Sequence, residues 1–156
     1  MHEANLNEKE SMKNILNYIQ INEQISTAGQ PTKEQFKIVS KEGFDVVINL
    51  AMHNKGALKK EDKVVSKNGM LYFHLPITWK NPELDRLELF IKLLEMLEKE
   101  NKKVFIHCIM NYRASVFIHV YKRCIWREEG AFIAPEGYTP NKVWKGILMS
   151  YKKRKK

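Results

Sequence analysis

A chain of 156 residues with 44% hydrophobic content has enough apolar side chains for one core and too few for two comfortable domains. No run approaches the roughly 18 consecutive apolar residues of a membrane span, and Met1 to Glu10, polar with three glutamates, lacks the pattern of a secretory signal. The net charge is +9, but Lys152 to Lys156 supply five of those charges, which reads as a solvated basic tail and not as a specific nucleic-acid site.

Two cysteines, Cys108 and Cys124, give no disulfide framework, and without an export signal both are expected to be reduced thiols in the cytoplasm. The charge that remains on the body suits anionic substrates.

Residues 1–13 are expected to be loosely held, 14–151 to form one domain and 152–156 to be the tail. Ile15 to Ile25 alternates in part between apolar and polar, which predicts an opening strand or hairpin. Thr27-Ala-Gly-Gln-Pro31 is turn chemistry, and Thr32 is a candidate N-cap for a helix to about Lys41 that Gly43 ends. Asp45 to Leu50 is a short, nearly continuous apolar run, as in a strand covered on both faces. Lys59 to Asn68 reads as a helix closed by Gly69, and Met70 to Ile77 as a further strand.

The clearest helix runs from Pro82 to Glu100, where Leu84, Leu87, Phe90, Ile91, Leu94 and Leu97 recur at helical spacing behind Asn81-Pro82. Lys103 to His107 is a strand, and helices follow from Arg113 to about Trp126 and from Asn141 to Ser150. Strands alternating with helices predict an α/β fold, with a central, mostly parallel sheet of four to five strands and helices on both faces. Ligands of such sheets bind beyond the carboxyl ends of the strands, where Cys108 is expected.

Val104-Phe-Ile-His-Cys-Ile-Met-Asn-Tyr-Arg-Ala-Ser115 is the stretch that carries chemistry. A thiolate between a strand and the N-terminus of a helix sits where backbone N–H groups and the helix dipole favour an anion. That field favours the nucleophilic form of Cys108. Arg113 adds a planar fork suited to two phosphate oxygens. Asn111 between them tolerates the left-handed backbone that an inward-folding loop requires. The competing reading is that Cys108 is a small buried hydrophobe at a strand end.

His107-Cys108 through Arg113 resembles the active-site loop of the cysteine-based, protein-tyrosine-phosphatase-like superfamily. Thr27 to Thr32, Gly43 to Leu50, Tyr72 to Trp79 and Trp144 resemble its bacterial branch of small stand-alone members. The resemblance spans about Tyr18 to Ile147. It implies a phosphatase-like sandwich in which Cys108 is the nucleophile and Arg113 binds phosphoryl oxygens. The loop amides of Ile109, Met110, Asn111 and Tyr112 would cradle the rest of the anion, on a phosphorylated protein or small molecule, with no metal or cofactor. Four residues separate cysteine from arginine, as in the bacterial branch, where most of the superfamily has five. Ser115 keeps the spacing at which a hydroxyl donates to the thiolate. Arg113 would therefore approach the anion from a different side, and activity toward ordinary phosphotyrosine is expected to be poor.

A departing alkoxide needs a proton donor. The resemblance points to the loop from Thr78 to Asp85 and to Asp85 as that acid. Glu83 lies in the same loop, Asp62 and His53 are alternatives, and acids in a first helical turn are also favoured by the dipole alone. His107 is expected on the opposite side of its strand, orienting the loop by hydrogen bonds. Tyr112 and Trp79 would rim the entrance. Cys124, His74 and His119 read as core residues. A rhodanese-like sulfurtransferase and a non-catalytic phosphate-binding module are the competing functions.

Overall fold

The computed structural model describes residues 11–151. Five strands, β1 (Ile19–Gln20), β2 (Ile25–Ala28), β3 (Val46–Asn49), β4 (Leu71–His74) and β5 (Val104–His107), form one sheet in the order β1-β2-β5-β3-β4. Only β1 runs antiparallel to its neighbour; β2, β5, β3 and β4 are mutually parallel. Five helices complete the fold: α1 (Lys33–Lys41), α2 (Glu61–Lys67), α3 (Leu84–Lys99), α4 (Tyr112–Cys124) and α5 (Lys142–Ser150).

Two cores follow from the period of two along the strands. Ile25, Val46, Ile48, Val104 and Ile106 pack with Leu87, Phe90, Ile91 and Leu94 of α3, with α4, and with Trp144 of α5. Val47 and Phe105, one residue out of phase, pack on the other face with Phe36 and Val39 of α1 and Val65 of α2. Each fully buried Leu, Ile or Phe contributes about 1.5–3 kcal/mol, which is why the three fully buried strands, β2, β5 and β3, form the middle of the fold.

Register fixes the position of the site. Ala28 and Asn49 both pair with His107 across β5, so β2, β3 and β5 end at one level. The chain segments that leave these ends, from Gly29, Leu50 and Cys108, therefore meet over one edge of the sheet.

Several boundaries differ from the sequence expectation for physical reasons. Thr27 and Ala28 belong to β2 and not to the turn, which starts at Gly29. β4 stops at His74 because Pro76 has no N–H to donate, although Leu75 and Ile77 still donate to Asn49 and Leu50. α2 starts at Glu61, since Lys60 is left-handed at φ 57°. α4 starts at Tyr112 and ends at Cys124. α1 is as read: Thr32 and Gln35 form a reciprocal capping box, and Gly43 takes φ +89° beyond the end.

The basic tail 152–156 and residues 1–10 of the segment expected to be loose lie outside the described residues. The rest of that segment is folded, with Ser11 capping a short 3-10 turn and Met12 buried. His74, expected in the core, is exposed, with its ring bonded to the Ala51 carbonyl. No described helix is long and apolar enough to cross a membrane.

Candidate active site

Cys108 is fully buried at the end of β5, and Arg113 is 8% exposed in the first turn of α4. Both line one cavity of about 660 Å³, with Met52, Asn54, Thr78, Trp79, Lys80, Asn81, Ile109, Met110 and Tyr112. The guanidinium is braced by a 2.8 Å hydrogen bond from Nη1 to the Ile77 carbonyl.

The loop between them owes its shape to outside partners. Asn111 adopts φ 68°, and its side-chain amide donates to the Asn17 carbonyl at 2.8 Å and to Thr27 Oγ1 at 3.1 Å. The carbonyls of Ile109 and Met110 accept from the Gln30 backbone N–H at 2.9 Å and from Asn17 Nδ2 at 2.9 Å. The Cys108 carbonyl faces His107 Nδ1 at 3.0 Å. With these carbonyls held outward, the amides from Ile109 to Ala114 have no acceptor among the described residues. They form an array of donors at the N-terminus of a 13-residue helix, next to a thiol and a guanidinium.

The Gly-Gln-Pro turn is part of the same construction. A Cβ on Gly29 would lie 2.6 Å from the Ile109 carbonyl oxygen, so only glycine lets the turn approach. Gln30 donates from Nε2 to Glu61 Oε1 at 2.6 Å. Glu61 Oε2 in turn meets His107 Nε2 at 2.7 Å, with both side chains buried. Burial acts to raise the Glu61 pKa, but the charge of His107 and hydrogen bonds from His107, Gln30 and Tyr72 outweigh it and hold the carboxyl below its ordinary value. Both His107 nitrogens thus lie within hydrogen-bond distance of oxygens, Nδ1 of the Cys108 carbonyl and Nε2 of the Glu61 carboxylate.

Two aromatic side chains, Trp79 and Tyr112, line the cavity. Trp79 stacks on Trp144 with centroids 5.3 Å apart, and Trp144 Nε1 donates to the Trp79 carbonyl at 2.9 Å. Tyr112 stacks on Tyr138 at 4.1 Å and 7°. The Tyr138 hydroxyl is buried without a partner among the described residues. Burial, then the charges of Cys108 and Tyr112, push this phenol up to about 12.

Of the residues singled out from the sequence, Cys108, Ile109, Met110, Tyr112 and Arg113 come together at the cavity. Asn111 and Ser115 do not line it: Asn111 points back into the fold, and Ser115 Oγ donates to the Tyr112 carbonyl at 2.9 Å. His107 lies behind the loop. Asp85 is exposed in the first turn of α3 and is not among the lining residues. Glu83 is occupied otherwise, accepting from the Thr78 N–H at 2.8 Å and the Thr78 hydroxyl at 2.6 Å. Desolvation acts to raise the Glu83 pKa, and these bonds outweigh it and hold the carboxyl below its ordinary value. Asp62 and His53 line a neighbouring cavity. No carboxylate lines the Cys108 cavity among the described residues. Sequence reasoning passed over Glu61 and Gln30. Glu61 carries no local signal beyond its place near a helix start, and nothing in the sequence ties it to His107, 46 positions away.

A parallel sheet that delivers a cysteine to the N-terminus of an arginine-bearing helix is the architecture of the protein-tyrosine-phosphatase-like cysteine phosphatases. Residues 21–114 match the family model described as polymorphic toxin system, DSP-PTPase phosphatase, and the chain belongs to that family. Its structure superimposes on that of a DUF442 protein from Shewanella putrefaciens CN-32 with a TM-score of 0.80 at 30% identity, covering 88% of this chain and 91% of the other. Tk-PTP shares the fold at 18% identity and a TM-score of 0.71 over 85% of this chain and 93% of its own. P. aeruginosa TpbA shares it at 14% and 0.57, over 69% and 63%. No curated protein matches the chain. The sulfurtransferase alternative is not favoured by these likenesses.

Proposed function

We propose that this protein is a cysteine-dependent phosphatase that hydrolyses phosphate monoesters through a phosphocysteine intermediate. The observation that carries the reading is the convergence on one cavity of Cys108, Arg113 and a row of backbone amides without acceptors. These are a nucleophile and the donors that a transferring phosphoryl group requires.

In the first step Cys108 Sγ attacks phosphorus in line. The S–P bond forms as the ester P–O bond breaks, and the leaving oxygen departs. Arg113 and the amides of Ile109 to Arg113 stabilise the charge on the equatorial oxygens. In the second step a water oxygen attacks phosphorus, the S–P bond breaks, and inorganic phosphate and the thiolate are released. His107, held by Glu61, positions the loop through the Cys108 carbonyl and takes no part in proton transfer.

The missing carboxylate shapes the specificity. With no carboxylic acid among the described residues that line the cavity, the leaving group takes its proton from water, so aryl esters react in preference to alkyl esters, whose oxygens are far more basic. The aromatic wall of Trp79 and Tyr112 suits the same substrates, phosphotyrosine among them.

The test is turnover of p-nitrophenyl phosphate beside phosphoserine, with vanadate as inhibitor. Vanadate-sensitive hydrolysis that favours the aryl ester supports the reading. Phosphate binding with no turnover on either ester would make the protein a phosphate-binding module instead.

A further inference from the structure

A second cavity, of about 630 Å³, lies between α1 and α2 on the face of the sheet away from α3, α4 and α5. Six lysines line it: Lys33 and Lys37 from α1, and Lys59, Lys60, Lys63 and Lys67 from α2 and the turn before it. All six are exposed, and none pairs with a described carboxylate. Lys33 and Lys37 on α1, like Lys63 and Lys67 on α2, recur at the four-residue spacing that puts them on one helical face, and Lys60 lies just before α2. Two rows of like charge thus border one groove. Such rows repel, and no acid lines the groove to compensate them.

The lining also says which anion fits. Half-buried Leu58 and Val64 add apolar surface between the charges. There is no aromatic ring on which a base would stack and no arginine fork for phosphate. A concave groove does not match a planar membrane. The groove also leads toward the catalytic cavity: Leu58 and Lys60 line an intermediate cavity of about 300 Å³, which shares Met52 with the Cys108 site.

We propose that the groove between α1 and α2 docks an acidic polypeptide segment carrying aliphatic residues, supplied by a phosphoprotein substrate whose phosphorylated residue enters the Cys108 cavity. The assignment of that segment to a substrate rests on the phosphatase reading above. Carboxylates would pair with the lysine rows while an aliphatic side chain covers Leu58 and Val64.

The probe is a short fluorescein-labelled peptide of glutamates interrupted by leucines, followed by anisotropy on the wild type and on Cys108→Ser. Binding is expected to both, to weaken about tenfold or more in the double variant Lys37→Glu, Lys63→Glu, and to be lost near 1 M salt, where the Debye length is about 3 Å. Both lysines are exposed, so thermal unfolding of the variant should match that of the wild type. A labelled oligothymidylate of equal charge is expected to bind more weakly than the peptide. In the activity arm, a phosphotyrosine peptide extended by the acidic segment should show a lower KM than the unextended one. The charge reversals should erase that difference and leave p-nitrophenyl phosphate turnover unchanged. Absence of peptide binding, binding that survives the charge reversals, or equal binding of the oligothymidylate would overturn the proposal. The binding arm needs no turnover, so a protein inactive on every ester would overturn the phosphatase reading while docking is still decided. Turnover of p-nitrophenyl phosphate without peptide binding would overturn docking alone.

Discussion

His107 Nε2 lies 2.7 Å from Glu61 Oε2, a buried pair directly behind the nucleophile loop. The same ring reaches the Cys108 carbonyl through Nδ1. A carboxylate on α2 is thereby connected through one imidazole to the backbone of the cysteine. The pair turns the carbonyl outward beneath an anion site. Removal of one partner from such a pair leaves a buried hydrogen-bonding group of the other unpaired, at a cost of about 1–3 kcal/mol. Glu61→Ala is expected to lose about that much in urea denaturation and to weaken inorganic phosphate binding. Unchanged stability would remove Glu61 from the account.

The acid side of the stability profile follows from the same residue. Its carboxyl titrates lower in the fold than its ordinary 4.5 in the unfolded chain. The unfolded state therefore binds more protons in that range, and the Glu61 contribution is complete above about pH 4.5 and lost as the pH falls through the folded pKa. Denaturation midpoints should fall as the pH drops below about 4.5, and fall less steeply in Glu61→Gln. Parallel profiles for the two proteins would contradict this.

Asn111 separates backbone from side-chain effects. Its φ of 68° strains any residue with a Cβ, and its amide ties the loop to Asn17 and Thr27. Asn111→Gly keeps the backbone and loses only the hydrogen bonds, at about 1 kcal/mol. Asn111→Ala loses both, at about 2–3 kcal/mol. Stability and phosphate affinity should both fall in the order Asn, Gly, Ala. An alanine variant equal to the glycine one would show that the left-handed backbone is not a constraint.

Gly29→Ala tests the contact between the turn and the loop. The added methyl would meet the Ile109 carbonyl oxygen at 2.6 Å, and relief requires the loop to shift. The expected cost is about 1–3 kcal/mol. Phosphate affinity should fall more than that of a mutant of equal stability elsewhere in the core. An intact phosphate affinity would mean the loop does not depend on this approach.

Asp85→Asn should leave kcat on p-nitrophenyl phosphate within about twofold, because Asp85 is exposed outside the cavity. A loss of a hundredfold or more, at the scale of a general acid, would restore Asp85 to the mechanism.

What the sequence revealed was set by how locally each feature is encoded. β3 and β5 are short apolar runs, and α3 repeats leucine at helical spacing, so composition and period are enough to find them. Cys108 and Arg113 share one short loop, so their meeting needed no tertiary information. The Glu61–His107 pair joins a helix to a strand 46 positions away, and no pattern within either element announces it. Asp85 failed to reach the cavity for the same reason: a helix start known only to within a residue or two leaves open which way its acids point. Lys60 defeated the boundary of α2, since a left-handed lysine carries no local signature. The lysine groove needed both helices in place, because each row alone reads as a solvated face.

The central claim is that Cys108 carries the phosphoryl group. Rapid acid quench of the wild type reacting with p-nitrophenyl phosphate, followed by intact-mass measurement, tests it most directly. The account predicts a phosphate adduct on the wild type that maps to Cys108, and for Cys108→Ser no adduct, turnover reduced about a thousandfold or more, and retained phosphate binding. Full turnover by Cys108→Ser, or an adduct that maps elsewhere, would contradict it.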